Sequence, residues 1–182
     1  PNWVASDLMA QAEHDVNSQS ILITDSAEFA KNVLKEIQNL KKVISHNNVI
    51  QKSLKKNGLI ILVNNILDIA DIINYIAPEH LHLHIKSYKK ILPKINNAGG
   101  IFLGEYSAEA FGDYIVGTNH VLPTAGSAKF SSGLGVSDFM KRSSIVKMNA
   151  LSYKNLRYDT ENMAEIEGLL AHKMSVKIRQ NK

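Results

Sequence analysis

Apolar and polar positions alternate along this chain with two periods, and each period predicts a different kind of element. Short apolar runs and strict alternation are typical of strands, whereas apolar positions recurring every three or four residues are typical of helices. Four strands are predicted in this way, at residues 20–24, 59–63, 81–85 and 101–103. Because helix-sized segments separate them, we predict an α/β fold with a mostly parallel sheet flanked by helices.

The segments between these strands carry helix signals. Ser6 is a candidate cap for a helix that ends near Glu13, and Ser26 is a candidate cap for a longer helix. The longer helix is predicted to bury one face, made of Phe29, Val33, Ile37, Leu40 and Ile44. Further helices are predicted at residues 50–56, 66–75 and 88–97. We expect extended geometry just before Pro78, because proline restricts the residue that precedes it.

The character of the chain changes after Gly104. Six of the ten glycines lie in residues 104–137, which is typical of irregular surface loops. Residues 1–137 are therefore predicted to form one α/β domain and residues 138–182 a small C-terminal arm. Predicted elements of the arm are a short helix at 138–142, a strand at 144–148 and two helices. The last helix is predicted to be capped by Thr160 and to turn four side chains inward: Met163, Ile166, Leu169 and Leu170.

The composition of the chain excludes several classes of protein. The chain has 182 residues, of which 45% are hydrophobic, as in an ordinary globular domain. Its longest apolar runs are too short to cross a bilayer. The absence of cysteine excludes disulfides and thiolate metal sites, and we expect a cytoplasmic protein. The net charge of +4 is mild and the lysine pairs lack interleaved aromatic residues, so nucleic-acid binding is not predicted.

Four groups of polar residues are candidates for chemistry. They are Glu79 with His80, Gln11 with His14, Asp113 with His120, and Glu167 with His172. Gln11 and His14 lie three residues apart on a predicted helix, so both project from one face. Glu79 and His80 follow Pro78, where a stiff turn would hold them for proton transfer. A mixed nitrogen and oxygen set suits zinc. The spacing does not demonstrate such a site. Three of the pairs are, taken alone, more often solvated surface, whereas for Asp113 with His120 loop decoration and a functional role are about equally frequent.

Several long motifs occur in order across essentially the whole chain. Residues 7–15 read DLMAQAEHD, residues 74–81 read NYIAPEHL, and residues 112–124 read GDYIVGTNHVLPT. The match continues through Phe130–Leu134, Asp138–Phe139 and Lys141–Arg142, and ends with EGLLAH at residues 167–172. The sequence resembles the histidinol dehydrogenase family, whose pattern for the first motif has a second leucine where Met9 stands.

This resemblance implies an oxidoreductase that uses zinc and NAD. Such enzymes convert L-histidinol to L-histidine through L-histidinaldehyde, the last steps of histidine biosynthesis. Carried over by motif, the zinc ligands would be Gln11, His14, Asp113 and His172. The acid–base pair would be Glu79 and His80. Substrate contacts would come from the metal ligands together with His80, His120 and Glu167. The family is a homodimer, so Glu167 and His172 would serve the partner's site, and the fold would be an incomplete Rossmann-like one.

The chain departs from the family pattern in its extent. It starts just before the first metal motif, so we expect a C-terminal portion that is inactive alone. It contains no G-x-G-x-x-G loop, and the residues that contact NAD are not predicted. Two other classes of function stay open. One is a non-catalytic zinc-binding or dimerisation module. The other is a metal-assisted hydrolase in which Glu79 activates a zinc-bound water.

Overall fold

A computed structural model of the protein describes residues 1–44 and 48–181. All four predicted strands are present, with small shifts at their ends. They are β1 Ser20–Thr24, β2 Gly58–Leu62, β3 His80–Leu83 and β4 Gly100–Leu103. Within the described residues they form two parallel pairs, β1 with β2 and β3 with β4, and not one continuous sheet. The α/β class with parallel strands flanked by helices is therefore confirmed.

Eight α-helices lie in the described part of the chain. They are α1 Asn2–Glu13, α2 Ala27–Val43, α3 Asn48–Asn57, α4 Ala70–Ile76, α5 Tyr88–Ile91, α6 Glu109–Tyr114, α7 Ala150–Ile166 and α8 Leu170–Lys177. Short 3₁₀ helices occupy Ile66–Asp68, Leu92–Lys94, Ser127–Lys129, Val136–Phe139 and Ile178–Asn181. None of the helices in the described ranges is both long enough and apolar enough to span a lipid bilayer.

Two predicted helix caps had opposite outcomes. Ser26 caps α2 as predicted, because its Oγ accepts a hydrogen bond of 3.1 Å from the amide of Phe29. The prediction for Ser6 was wrong, since α1 already begins at Asn2 and Ser6 lies inside it. The amide of Ala5 donates to the carbonyl of Pro1 at 2.9 Å, so the first turn closes without a side-chain cap.

The first hydrophobic core holds α1 against α2, α3 and β1. Ala5 and Ala12 of α1 are fully buried, and small side chains at these positions let the neighbouring helices approach closely. Val33 and Ile37 of α2 pack into the same core, as predicted. Ile44 was wrongly predicted to join them. It is 42% exposed, because α2 ends at Val43 and the face no longer continues.

Strand β3 separates the second hydrophobic core from a polar face. Leu81 and Leu83 belong to or pack against this core, together with Ile73 and Ile91. Side chains of a strand alternate between its two faces, so the histidines at 80, 82 and 84 point the other way. The alternation predicted from the sequence is therefore confirmed, although β3 ends at Leu83, two residues before Ile85.

The backbone before Pro78 is not extended. Ala77 has φ 50° and ψ 63°, in the left-handed region, and its amide donates to the carbonyl of Ile73 at 2.8 Å. It ends α4 as a left-handed C-cap, so helix termination decides this conformation and the prediction of extended geometry was wrong. Pairing of β3 with β4 then begins, as the amide of Gly100 donates to the carbonyl of Glu79 at 2.7 Å.

Other predicted boundaries were also wrong. The helix predicted over 88–97 ends at Ile91 and continues only as a 3₁₀ turn containing Pro93, because proline has no amide to donate. The region 104–137 was read as irregular throughout, yet it contains α6. The arm's predicted helix at 138–142 is instead the 3₁₀ turn that ends at Phe139.

The chain divides into two compact units, Pro1–Phe139 and Met140–Lys182. In the second unit α7 packs with α8, and the Tyr153 hydroxyl donates to the carbonyl of Val176 at 2.8 Å. The predicted strand at 144–148 is absent, since these residues have no regular structure. Thr160 lies inside α7, where its hydroxyl donates to the carbonyl of Leu156 at 2.9 Å. The four side chains predicted to turn inward are exposed, because two helices cannot bury every face: Met163, Ile166, Leu169 and Leu170.

Candidate metal and acid–base site

A stripe of polar residues on α1 faces the histidines of β3. Gln11 lies in the last turn of α1 and His14, three residues later, is the helical C-cap, so both project from one face, as predicted. The Nδ1–H of His80 donates to Gln11 Oε1 at 2.9 Å. This bond joins residues 69 positions apart in the sequence, so the site depends on how α1 packs against β3.

Helix α6 brings a carboxylate that sequence reasoning missed. Glu109 is only 4% exposed, and its Oε1 accepts a hydrogen bond of 3.1 Å from His14 Nε2. The same oxygen lies 3.4 Å from His80 Nδ1. Glu109 and Asp113 are four residues apart on α6, a spacing that sets both on one helix face. That spacing was the available signal, and it was missed because residues 104–137 were interpreted as loop.

His14, Glu109 and Asp113 form one of two groups in the described chain that could hold a metal ion. Each offers one ligand atom, and these atoms lie within 4.8 Å of one another. An imidazole nitrogen with carboxylate oxygens is a donor set that zinc accepts. Gln11 is adjacent through its bond to His80. The residues of this group therefore fit a divalent transition metal, and they include two of the four predicted zinc ligands, His14 and Asp113.

The His80 ring is uncharged near neutral pH, as a proton acceptor has to be. Burial lowers its pKa to about 4; the charge of Asp113 opposes this shift, while His14 and His82 reinforce it. Its side chain is 6% exposed, and its Nε2 is buried without a hydrogen-bond partner among the described residues. With Nδ1–H donated to Gln11, the neutral ring presents a free lone pair at Nε2.

Two carboxyl groups in the cluster resist ionisation. Burial raises the pKa of Glu79; His14 opposes that rise and Asp113 adds to it. Burial also raises the pKa of Glu109, against the hydrogen bond and charge of His14. Ionising several partly buried carboxyls together is unfavourable unless a cation lies nearby. The crowding of acidic groups is a second observation that fits a bound cation.

The remaining predicted residues lie elsewhere. His120 is exposed in an irregular segment, and within the described ranges no hydrogen bond or ion pair joins it to the cluster. Glu167 is the exposed C-cap of α7, and His172 lies exposed on α8, both in the second unit. The structure thus gathers five of the predicted residues in the first unit: Gln11, His14, Glu79, His80 and Asp113.

The cluster opens onto a cavity of about 1280 Å³ in the first unit. Gln11, His14 and Glu109 line it, together with Glu79 and His80. The lining also includes residues of β1 and an apolar wall from α4. A polar cluster at the side of an apolar cavity is the usual arrangement of a small-molecule site.

Comparisons with known proteins agree on one family. The sequence model described as "Histidinol dehydrogenase" matches residues 1–180. A histidinol dehydrogenase from Aquifex aeolicus is 45% identical over 181 residues, covering 100% of this chain and 42% of that protein. One from Hydrogenovibrio crunogenus is 48% identical over 179 residues, covering 98% and 41%. The crystal structure of histidinol dehydrogenase from Elizabethkingia anophelis superposes with a TM-score of 0.88 at 36% identity, covering 100% of this chain and 42% of that one. The chain therefore spans about two fifths of the length of these relatives.

Proposed function

Because the chain belongs to the histidinol dehydrogenase family, we propose that it carries the metal and acid–base centre of an enzyme that oxidises L-histidinol to L-histidine. The route runs through L-histidinaldehyde and comprises the last steps of histidine biosynthesis. One observation carries the proposal: His80 presents a buried Nε2 that has no hydrogen-bond partner in the described part of the chain, beside Glu79 and the His14 cluster. A cytoplasmic location remains a prediction.

The reaction needs a base at two stages. The alcohol first loses a proton from oxygen and a hydride from carbon, which gives the aldehyde. The aldehyde then adds water, and the hydrate loses a second proton and hydride to give the acid. When bound, NAD would accept the hydrides, and zinc would orient the substrate and act as a Lewis acid. The residues of this chain have to move the protons.

His80 is the proposed acceptor of the hydroxyl proton. The proton goes to Nε2, because Nδ1 keeps its own proton in the bond to Gln11. The ring becomes positively charged, and Glu109 Oε1 stands 3.4 Å from Nδ1, where its negative charge stabilises that cation. The charge of Asp113 also raises the pKa of His80 against the lowering caused by burial, which favours uptake of the proton.

Glu79 is the proposed base for hydration of the aldehyde. As a carboxylate it takes a proton from water while the water oxygen bonds to the carbonyl carbon. Burial raises its pKa, which makes it a stronger base than an exposed glutamate. Its backbone is fixed on both sides, by Pro78 and by the bond from Gly100. Rigid placement of this kind is what proton transfer requires.

The proposed zinc ligands, carried over from the family motifs, are Gln11, His14, Asp113 and His172. Glu109 stands beside His14 as a further carboxylate donor. By family resemblance His172 and Glu167 would serve the partner subunit of a homodimer. His120 and Glu167 are proposed to position the substrate.

The test measures NADH formation from L-histidinol with the chain combined with a polypeptide that supplies the part of a full-length relative it does not match. The expected result is two molecules of NADH per molecule of histidinol. Glu79→Gln is expected to stop the sequence at the aldehyde, whereas His80→Gln is expected to slow the first oxidation. Glu105→Gln is the matched control, because Glu105 is exposed outside the cluster. Full turnover by both site variants would refute the assigned roles.

The extent of the match favours one second candidate. A chain covering 42% of its relatives could act as a zinc-binding or dimerisation module without turnover. NADH formation that depends on Glu79 and His80 would reject this module. It would also reject a metal-assisted hydrolase, which needs no NAD. Zinc retained on dialysis, but no NADH under any reconstitution, would favour the module.

A further inference from the structure

A second group of metal-type side chains lies outside the site described above. Asp7 of α1 stands against His82 and His84, which extend the polar face of β3 beyond His80. The motif shared with the family over residues 74–81 ends at Leu81, so both histidines lie beyond it. We propose that Asp7, His82 and His84 bind a second divalent transition-metal ion, of the zinc and cobalt class. This proposal does not depend on the dehydrogenase function.

The distances suit a shared ion. His84 Nε2 lies 3.1 Å and His82 Nδ1 lies 3.6 Å from the same oxygen, Asp7 Oδ2. All three ligand atoms lie within 4.8 Å of one another. Zinc bonds of ordinary length in a tetrahedron separate neighbouring ligand atoms by about 3.4 Å. These two separations bracket that value, and the two imidazole nitrogens lie no more than 4.8 Å apart, so the site can close by adjustment of the side chains.

One atom of the group lacks a partner that a metal ion would provide. His82 Nδ1 is buried and has no hydrogen-bond partner among the described residues. Its distance of 3.6 Å from Asp7 Oδ2 is too long for a hydrogen bond. Buried nitrogen atoms are rarely left unsatisfied in native structures. An ion pair between Asp7 and His84 alone would leave this nitrogen unexplained, whereas coordination explains it.

The rings are held in place by stacking. The His82 ring stacks on Phe102 at 5.0 Å between centroids and on the His84 ring at 5.7 Å. Rings fixed in this way need little reorganisation before binding. Asp7, His82 and His84 also line the cavity, so an ion can reach them and water can complete its coordination.

Nitrogen, nitrogen and oxygen donors define the class of ion. Imidazole suits zinc, cobalt and nickel, whereas calcium and magnesium prefer oxygen-only shells. Three protein ligands leave coordination positions free for water or another small ligand. The site is distinct from the first group, because the two groups share no residue.

The test titrates Co²⁺ into the whole 182-residue chain after removal of metals by a chelator, and follows the visible d–d absorption. His14→Gln combined with Asp113→Asn removes the first cluster. This double variant, which is the background for the further substitutions, is expected to bind one Co²⁺. Adding His84→Gln or Asp7→Asn is expected to weaken that binding at least about a hundredfold, since even loss of an outer-shell partner costs 10–100-fold. Glu105→Gln is the matched control, because it removes an exposed metal-type side chain outside both groups.

A second readout guards against variants that do not fold. Zn²⁺ is expected to raise the melting temperature of the background variant but not that of the variant that also carries Asp7→Asn. Far-UV circular dichroism checks that each variant is folded. If the background fails to fold, His84→Gln in the otherwise unchanged chain is expected to lower the bound Co²⁺ by one. A background that binds no Co²⁺, or affinities unchanged by both His84→Gln and Asp7→Asn, would overturn the proposal.

Discussion

Replacing Glu109 by glutamine should change metal binding and apo-protein stability in different directions. Glu109 Oε1 accepts from His14 Nε2 at 3.1 Å and belongs to the first metal group. The substitution keeps the shape and one acceptor oxygen but removes the charge. Loss of a carboxylate donor should weaken zinc binding by at least about a hundredfold, or about 2.8 kcal/mol, at about 1.4 kcal/mol per factor of ten.

The apo-protein should respond differently. Burial raises the pKa of Glu109, so the carboxyl resists ionisation in the folded state. For a group whose folded pKa is raised, stability is greatest below the unfolded pKa and falls as pH rises through the folded pKa. Glutamine cannot ionise, so at pH 7 the free energy of unfolding should stay the same or rise by up to about 1 kcal/mol.

Both quantities can be measured on the same preparations. Urea unfolding with excess chelator, followed by circular dichroism, gives apo stability, and competition with a chromophoric chelator gives zinc affinity. Glu105→Gln controls for removing an exposed carboxylate. If Glu109→Gln lost about 2 kcal/mol or more of apo stability and kept its zinc affinity, Glu109 would be a structural residue and the reasoning would be refuted.

Three further predictions concern stability. Burial lowers the pKa of His80 to about 4, so the free energy of unfolding of the apo-protein should fall by about 1–3 kcal/mol as pH drops from about 6.5 to about 4. Urea unfolding at a series of pH values measures this slope, and His80→Phe should flatten it. Gly99→Ala should lower stability by about 1–3 kcal/mol in thermal melts, because its Cβ would lie 2.6 Å from the carbonyl oxygen of Glu79, whereas Gly135→Ala meets no atom closer than 3.8 Å and should not. Ser26→Ala should cost about 1 kcal/mol by loss of the α2 cap, and an unchanged urea midpoint would contradict this role.

Local patterns predicted the elements of the fold better than their assembly. The run at residues 20–24 matched β1, and the alternation after Glu79 gave the correct faces of β3. A run such as Ser144–Met148 looked similar but forms no strand, because a strand needs a neighbour to pair with. The conformation of Ala77 was missed because the end of α4, and not the following proline, decides it.

The site was predictable only in part, for a related reason. Gln11 and His14 share a helix face at short spacing, which a sequence displays directly. Their contacts with His80 and Glu109 span 69 and 95 residues, and such separations are set by topology. Motif resemblance supplied Asp113 without any geometry. Glu109 lies outside the motifs that carry the resemblance, and only its helix spacing from Asp113 on α6 indicates it.

The two faces of β3 have a consequence for mutational screens. A shift of one residue in pairing with β4 would exchange every side chain between the faces, so that leucines would enter the polar cluster and histidines the core. Both faces therefore depend on one pairing register, and a substitution that disturbs the register alters the core and the polar cluster together. A screen scored by activity alone would mark Leu81 and Leu83 as functional residues, although neither belongs to the polar cluster. Separating the two kinds of defect requires measuring folded protein and turnover in the same variants.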